Sequence, residues 1–178
     1  MRRGALRAPL LLGAVLVVLA VTRGCGTGGG SAEPRDPTSA RVTHVVDGDT
    51  IDVELPDGAE ETVRYIGIDT PETVKPDTPV QCGGPKAHAA NERLVGGRTV
   101  TLRFDRERRD IYDRLLAYVY VPSRTPGGQP LFVNAELTRR GLARPLTIPP
   151  NDSFATLFTR LAAKAGAAGR GLWGRCGV

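Results

Sequence analysis

Histidine and cysteine are scarce in this chain, at two and three among 178 residues. His44 and His88 read as packing or surface residues rather than a catalytic base. Cys25, Cys82 and Cys176 have no second ligand at finger spacing, which excludes a zinc finger. No internal repeat is visible. An excess of one charge is also missing from most of the chain. Of 24 basic residues, Arg2, Arg3, Arg7 and Arg23 fall in an N-terminal stretch without acids, leaving 20 against 19 acidic ones. The basic pI therefore says little about partners. There is one long apolar run, Pro9 to Thr22, and it is short for a membrane span of about 20 residues.

That run follows a positive stretch, Met1 to Arg7, and precedes Gly24-Cys25. The layout is that of an export signal over residues 1–24, an uncleaved membrane anchor being the alternative. Cys25 stands where an acylated lipoprotein cysteine would stand. Thr22-Arg23-Gly24 departs from the apolar and small residues such a signal uses, so lipidation stays open. Residues 25–40, rich in Gly, Ser, Pro and Thr, read as a flexible linker, and 41–178 as one domain. The product is expected outside the cell, secreted or tethered to the cell surface. Cys82 and Cys176 are the only cysteines in that domain. Export favours their pairing as a disulfide over two free buried thiols.

Alternation and β-branching predict strands over 41–46, 50–55 and 62–68, then over 99–104 and 115–121. Pro85 opens a helix that runs through Leu94 to Gly96-Gly97. A second helix covers 133–140. A third, with Phe154, Leu157, Phe158 and Leu161 as its core stripe, follows Asn151-Asp152-Ser153, which are good N-cap residues. Five short strands with helices after the third and fifth predict a β-barrel with helices (α+β), the OB-fold foremost. Arg103, Arg106, Arg108 and Arg109 read as a solvated face.

Three runs carry chemistry: Asp47-Gly48-Asp49-Thr50, Arg64 through Asp69-Thr70-Pro71-Glu72, and Tyr112-Asp113-Arg114. Alone, each has a plain reading as a turn, a cap or a surface arginine. Together they supply hard oxygen donors, a general base and two guanidiniums. Asp49 and Asp69 lie at the ends of neighbouring strands, where their carboxylates can converge with the Thr70 carbonyl on a calcium ion. Glu72 stands just beyond, placed to hold or deprotonate a water. Arg64 and Arg114 can each clamp a phosphate and neutralise its developing charge.

The ordered series Asp-Gly-Asp-Thr, Arg-x4-Asp-Thr-Pro-Glu, Gly84-Pro85, Arg114 to Tyr120, Val133 to Leu137, Gly141 to Ala143 and Gly171 to Trp173 resembles the staphylococcal nuclease (thermonuclease) family. The likeness covers Arg41 to Trp173. It implies a five-stranded OB-fold barrel with three helices, and calcium-dependent hydrolysis of DNA and RNA by in-line attack of water. The 5′-oxygen leaves, so products carry 3′-phosphates. Carried over by position, Asp49, Asp69 and Thr70 bind Ca2+, and Arg64, Glu72 and Arg114 are catalytic. Asp47 supports them, and Tyr112 either lies along the bound nucleotide or is an exposed turn residue. A monomer is expected, with membrane contact only through the N-terminal segment or a lipid on Cys25.

Two departures stand out. Asp113 replaces the glycine of the family's Tyr-Gly-Arg turn; Asp tolerates left-handed backbone angles, but its carboxylate could draw Arg114 away from phosphate. The run Arg144 to Pro150 lacks the tyrosines that flank the nucleotide in other members, which implies weaker affinity with the chemistry retained. The alternative function is a catalytically weak domain that only binds nucleic acid or a protein partner.

Overall fold

Five β-rich segments do form strands, and each buries alternate side chains in one interior. A computed structural model describes residues 1, 36–73 and 79–176. The expected leader, Cys25, most of the linker and residues 74–78 lie outside that set. The chain separates into two units, Met1–Ser31 and Ala32–Val178, and the second holds all the strands and helices described. In chain order its elements are β1 (Thr38–Val45), β2 (Thr50–Glu54), β3 (Glu60–Tyr65), β4 (Ile68–Asp69), α1 (Gly84–Val95), β5 (Thr99–Arg103) and β6 (Leu115–Val121). They continue with β7 (Leu131–Phe132), α2 (Val133–Arg139), β8 (Arg144–Pro145), α3 (Ala155–Ala167) and α4 (Leu172–Arg175).

The strands lie in the order β3-β2-β1-β5-β6, antiparallel throughout, and a parallel β3–β6 pairing closes them into a barrel. Ile51, Val53, Val63, Val100, Leu102, Leu115 and Val119 fill it and are fully buried. Each such side chain contributes about 1.5–3 kcal/mol relative to exposure, so one inward charge would be costly. A register shift between Val42 and His44 lets both Val42 and Val45 face inward, where strict alternation would expose one. Strand β1 begins inside the stretch read as linker, because Thr38–Arg41 pair with β5 and Ala40 is buried.

The expected third strand breaks at Gly67. Its φ is 81°, and a Cβ there would lie 2.3 Å from the Phe158 ring. The chain turns, and Ile68–Asp69 form β4 against β8 instead. Helix α1 packs Ala87, Ala90, Asn91, Leu94 and Val95 inward. Helix α3 brings Phe158 into an aromatic cluster with Tyr118, Phe132 and Phe154. Leu157 and Leu161 are only half-buried, so the apolar stripe is narrower than its spacing suggests.

Asn151-Asp152-Ser153 do not cap that helix, whose start has no side-chain cap. Asn151 instead accepts from the Glu107 N–H and donates to the Glu107 carbonyl, at 2.8 Å each, and Ser153 donates to Asp105 at 3.0 Å. A loop with few backbone partners of its own takes their polar groups. The arginine run is likewise more than a solvated face. Arg109 makes a two-pronged pair with Glu61 at 2.8 and 3.1 Å, which ties the loop before β6 to β3.

Candidate active site

The β1–β2 turn is shaped by its own carboxylate and by helix α1. Asp47 Oδ1 accepts the Asp49 N–H at 2.9 Å, the self-bonding that makes Asp a turn former. Gly48 has no room for a side chain: a Cβ would sit 2.6 Å from Thr70 Oγ1 and 2.8 Å from Ala87 Cβ. Asn91 of α1 donates to the Asp47 carbonyl at 3.0 Å and accepts from the Tyr65 hydroxyl at 2.9 Å. These contacts press the turn onto the barrel and leave Asp49 only 3% exposed.

At Asp49 the strand ends meet. Its Oδ2 accepts the Thr70 N–H at 2.6 Å, and its Oδ1 lies 3.1 Å from Arg64 Nη1. Arg64 also reaches Asp69 at 3.0 Å and donates to the Tyr65 and Ile68 carbonyls at 3.2 and 3.0 Å. A guanidinium bonded in four directions is fixed in orientation. Asp69, by contrast, stays more than half exposed. Burial pushes the Asp49 carboxyl up to about 7, with Arg64 opposing and Asp47 adding to the rise.

With both carboxylates ionised, two negative charges share one guanidinium, and a cation at this corner would hold the buried Asp49 in its charged form. The donors on offer are hard oxygens, which fit calcium or magnesium better than a soft metal. Among the described residues no three His, Cys, Asp or Glu side chains converge as a cage. A cation here would therefore need carbonyl and water ligands as well.

Glu72 follows from β4 through Thr70 and Pro71. Its N–H donates to Gln81 Oε1 at 3.1 Å, and its carbonyl accepts the Gln81 N–H at 2.9 Å. Its carboxylate accepts the Thr73 N–H at 2.8 Å. Gln81 adjoins Cys82, which is bonded to Cys176 across a sequence separation of 94. The segment carrying Glu72 is thus pinned at the foot of α1.

Arg114 reaches the same end of the barrel through the parallel pairing. Val63 is opposite Leu115 and Arg64 opposite Leu116, while Val63 and Leu115 point inward. Arg64 and Arg114 therefore both leave the outer face, and both line a cleft of about 420 Å³. Asp110 holds Arg114: its Oδ2 accepts from Nε at 2.8 Å and lies 2.7 Å from Nη2, and its Oδ1 accepts the Arg114 and Tyr112 N–H groups. These bonds outweigh the desolvation that opposes them, so the Asp110 carboxyl sits below the usual range.

Asp113 adopts φ 64°, the left-handed turn expected of it. Its carboxylate, almost fully exposed, lies 3.6 Å from Arg109 rather than on Arg114. The anion that holds and orients Arg114 is Asp110. Tyr112 is 73% exposed beneath Arg114, whose guanidinium carbon is 5.4 Å from the ring centre. Ile111, Leu146 and Ile148 complete an exposed apolar wall where tyrosines were missed.

The structure thus gathers Asp47, Asp49, Arg64, Asp69 and Thr70 in one bonded group. It sets Arg114 and Tyr112 across a cleft from Arg64, and fixes Glu72 on the adjoining segment. Sequence reading missed Asn91 and Asp110. Asn91 had a signal, as a polar residue on the Ala87–Leu94 apolar face. Asp110 had one in its i, i+4 spacing to Arg114.

A family model described as staphylococcal nuclease homologue matches residues 62–175, which include Arg64, Asp69, Glu72 and Arg114 but not the Asp47–Asp49 turn. The chain is 42% identical over 134 residues to a thermonuclease of Staphylococcus intermedius, covering 75% of each chain. It is 42% identical over 114 residues to a thermonuclease of Staphylococcus hyicus, covering 64% of this chain and 63% of that one. It is 39% identical over 138 residues to the SPbeta prophage-derived endonuclease YokF of Bacillus subtilis, covering 76% of this chain and 44% of the other.

Proposed function

The chain belongs to the staphylococcal nuclease homologue family, and from that premise we propose that it is an exported, calcium-dependent nuclease that hydrolyses DNA and RNA to 3′-phosphate products. It is a phosphodiester-cleaving endonuclease of a family that uses a divalent metal. The observation that carries the proposal is the meeting of Asp49, Asp69 and Arg64 at strand ends, with Arg114 facing the same cleft as Arg64.

In this reading Asp49, Asp69 and the Thr70 carbonyl hold the ion. Calcium, when bound, supplies charge that polarises a phosphoryl oxygen and makes a nearby water a better nucleophile. Glu72 orients the attacking water and takes its proton. Arg64 and Arg114 place N–H donors where negative charge grows on the phosphoryl oxygens, an effect worth about 2.7–4 kcal/mol per donor at comparable sites. The Asp47 bond to the Asp49 N–H keeps the first carboxylate in place. Tyr112 offers its exposed ring to the nucleotide.

The Cys82–Cys176 disulfide supports an oxidising compartment, and so do the N-terminal signal layout over 1–24 and the linker behind it. A monomer, with membrane contact only through that N-terminal segment or a lipid on Cys25, completes the proposal.

The test is digestion of plasmid DNA and of RNA with calcium, then with a chelator. Cleavage should require calcium, and the oligonucleotide ends should lose phosphate to a phosphatase and show 3′ attachment by mass spectrometry. Chelator-resistant cleavage, 5′-phosphate ends, or full activity in Asp69→Ala or Arg64→Ala would each refute the assignment. Binding without cleavage under any metal would favour the catalytically weak alternative.

A further inference from the structure

The cleft lined by Arg64 and Arg114 accounts for one side of the site. Asp69 and Arg144 border a second hollow. They are direct partners in the antiparallel β4–β8 pair, so their side chains leave the ladder on the same side. With Gln81 and the Cys82–Cys176 disulfide they line a cavity of about 330 Å³. The two hollows meet along β4–β8, with Ile68 and Leu146 on the first and Asp69 and Arg144 on the second.

Arginines near the first hollow already have anions. Arg64 pairs with Asp49 and Asp69, Arg106 with Asp152, Arg109 with Glu61, and Arg114 with Asp110. Arg144 is exposed and makes no ion pair among the described residues, although Asp69 is its ladder partner. Gln81 gives its Oε1 to the Glu72 N–H, which leaves its amide NH2 as the end that can donate. The disulfide makes the wall behind them stiff. An unneutralised guanidinium and an amide donor in a rigid polar hollow form a receptor for an anion.

We propose that this second hollow binds a backbone phosphate of the substrate strand adjacent to the scissile one, with Arg144 as its cation and Gln81 as a neutral donor. The proposal rests on the nuclease reading. A polymeric strand must leave the cleft on both sides, and Arg144, the ladder partner of Asp69, lines the hollow that Tyr112 does not border. Arg144 is then a substrate-binding residue that sets a minimum substrate length and leaves the chemistry alone.

The experiment compares the parent chain with Arg144→Ala, Arg144→Lys and, as a remote control, Arg160→Ala. Cleavage is followed with calcium on an oligodeoxythymidylate and on a nitrophenyl phosphodiester of a single nucleoside, which has no flanking phosphate. Binding of the oligonucleotide is measured separately by fluorescence anisotropy, with chelator present and across a salt series. Arg144→Ala should raise KM on the oligonucleotide about tenfold, the low end for one charge-assisted contact, with kcat unchanged. It should leave the single-nucleoside ester unaffected, and lower the slope of log affinity against log salt by about 0.7, one phosphate contact on a single strand. Arg144→Lys should keep the slope, and Arg160→Ala should match the parent. Equal loss on both substrates, or an unchanged KM and slope in Arg144→Ala, would overturn the proposal while leaving the nuclease reading intact. A parent chain that cleaves neither substrate would overturn both.

Discussion

Replacing Asn91 by Leu should unlock the candidate site from behind, and the size of the effect can be worked out. Asn91 is fully buried, donates to the Asp47 carbonyl at 3.0 Å, and accepts from Tyr65 at 2.9 Å. Burial holds the Tyr65 phenol above its ordinary range, so it stays a donor at any working pH. Leu has nearly the shape of Asn but neither donates nor accepts. The substitution therefore leaves two polar groups without partners, the buried Tyr65 hydroxyl at about 1–3 kcal/mol and the part-buried Asp47 carbonyl at about 1–2 kcal/mol. A loss of about 2–5 kcal/mol is expected in urea unfolding, with the m-value unchanged.

Tyr65→Phe strands only the Asn91 oxygen and should cost about 1–2 kcal/mol. In the double variant the Asn91–Tyr65 contact is gone from both sides and only the Asp47 carbonyl remains orphaned. The double variant should therefore be more stable than the sum of the single losses implies, by about 2–5 kcal/mol, because neither the Tyr65 hydroxyl nor the Asn91 oxygen is then left unpaired. Nuclease activity should fall further in Asn91→Leu than in Tyr65→Phe, because only the former releases the turn that carries Asp49. Losses that add to within about 0.3–0.5 kcal/mol would refute the shared network. A loss under about 0.5 kcal/mol for Asn91→Leu would refute the claim that it anchors the turn.

Reducing the disulfide, or replacing both cysteines by serine, opens a loop whose ends are separated by 94 in sequence and should cost about 4–5 kcal/mol in urea unfolding on chain entropy alone. Asp105 is partly desolvated, but hydrogen bonds from Tyr118 and Ser153 prevail and hold its carboxyl below the usual value. Its stabilisation is thus complete above the unfolded-state value and disappears as pH falls through the lowered one; Asp105→Asn should flatten the acid limb of a stability–pH profile there, and an unchanged limb would contradict this. Asp113→Gly relieves a left-handed aspartate at the expense of a more flexible unfolded chain, so stability should move by no more than about 1 kcal/mol. Cleavage should change less than twofold, roughly, since Arg114 is held by Asp110; a large gain in activity would mean Asp113 competes for it after all. Asp110→Ala should lower kcat/KM by about tenfold, the weight of one charge-assisted contact that positions Arg114, and an unchanged value would show that Arg114 needs no such support.

Much of the barrel was legible because its strands alternate cleanly and its turns use Asp-Gly and Gly-Gly. Element ends were less so. The third strand reads as continuous to Ile68, and only the Phe158 ring packed over Gly67 explains why it stops. Asn151 and Ser153 have the chemistry of helix caps, and nothing local says that the 105–107 loop claims them. Asp113 was the visible threat to Arg114, being its neighbour in sequence. The turn instead points it at Arg109 and brings Asp110 round to Arg114.

The sequence by itself determined the donor types, the order of the strands along the chain and the family, since those depend on residue identity and short-range pattern. It could not determine which strand ends touch. Parallel closure between β3 and β6 spans some fifty residues and leaves no local trace, yet it alone sets Arg64 and Arg114 on one face. The same holds for Asp69 beside Arg144 and for the depth of Asp49, which depend on how α1 and the β4–β8 pair pack against the barrel.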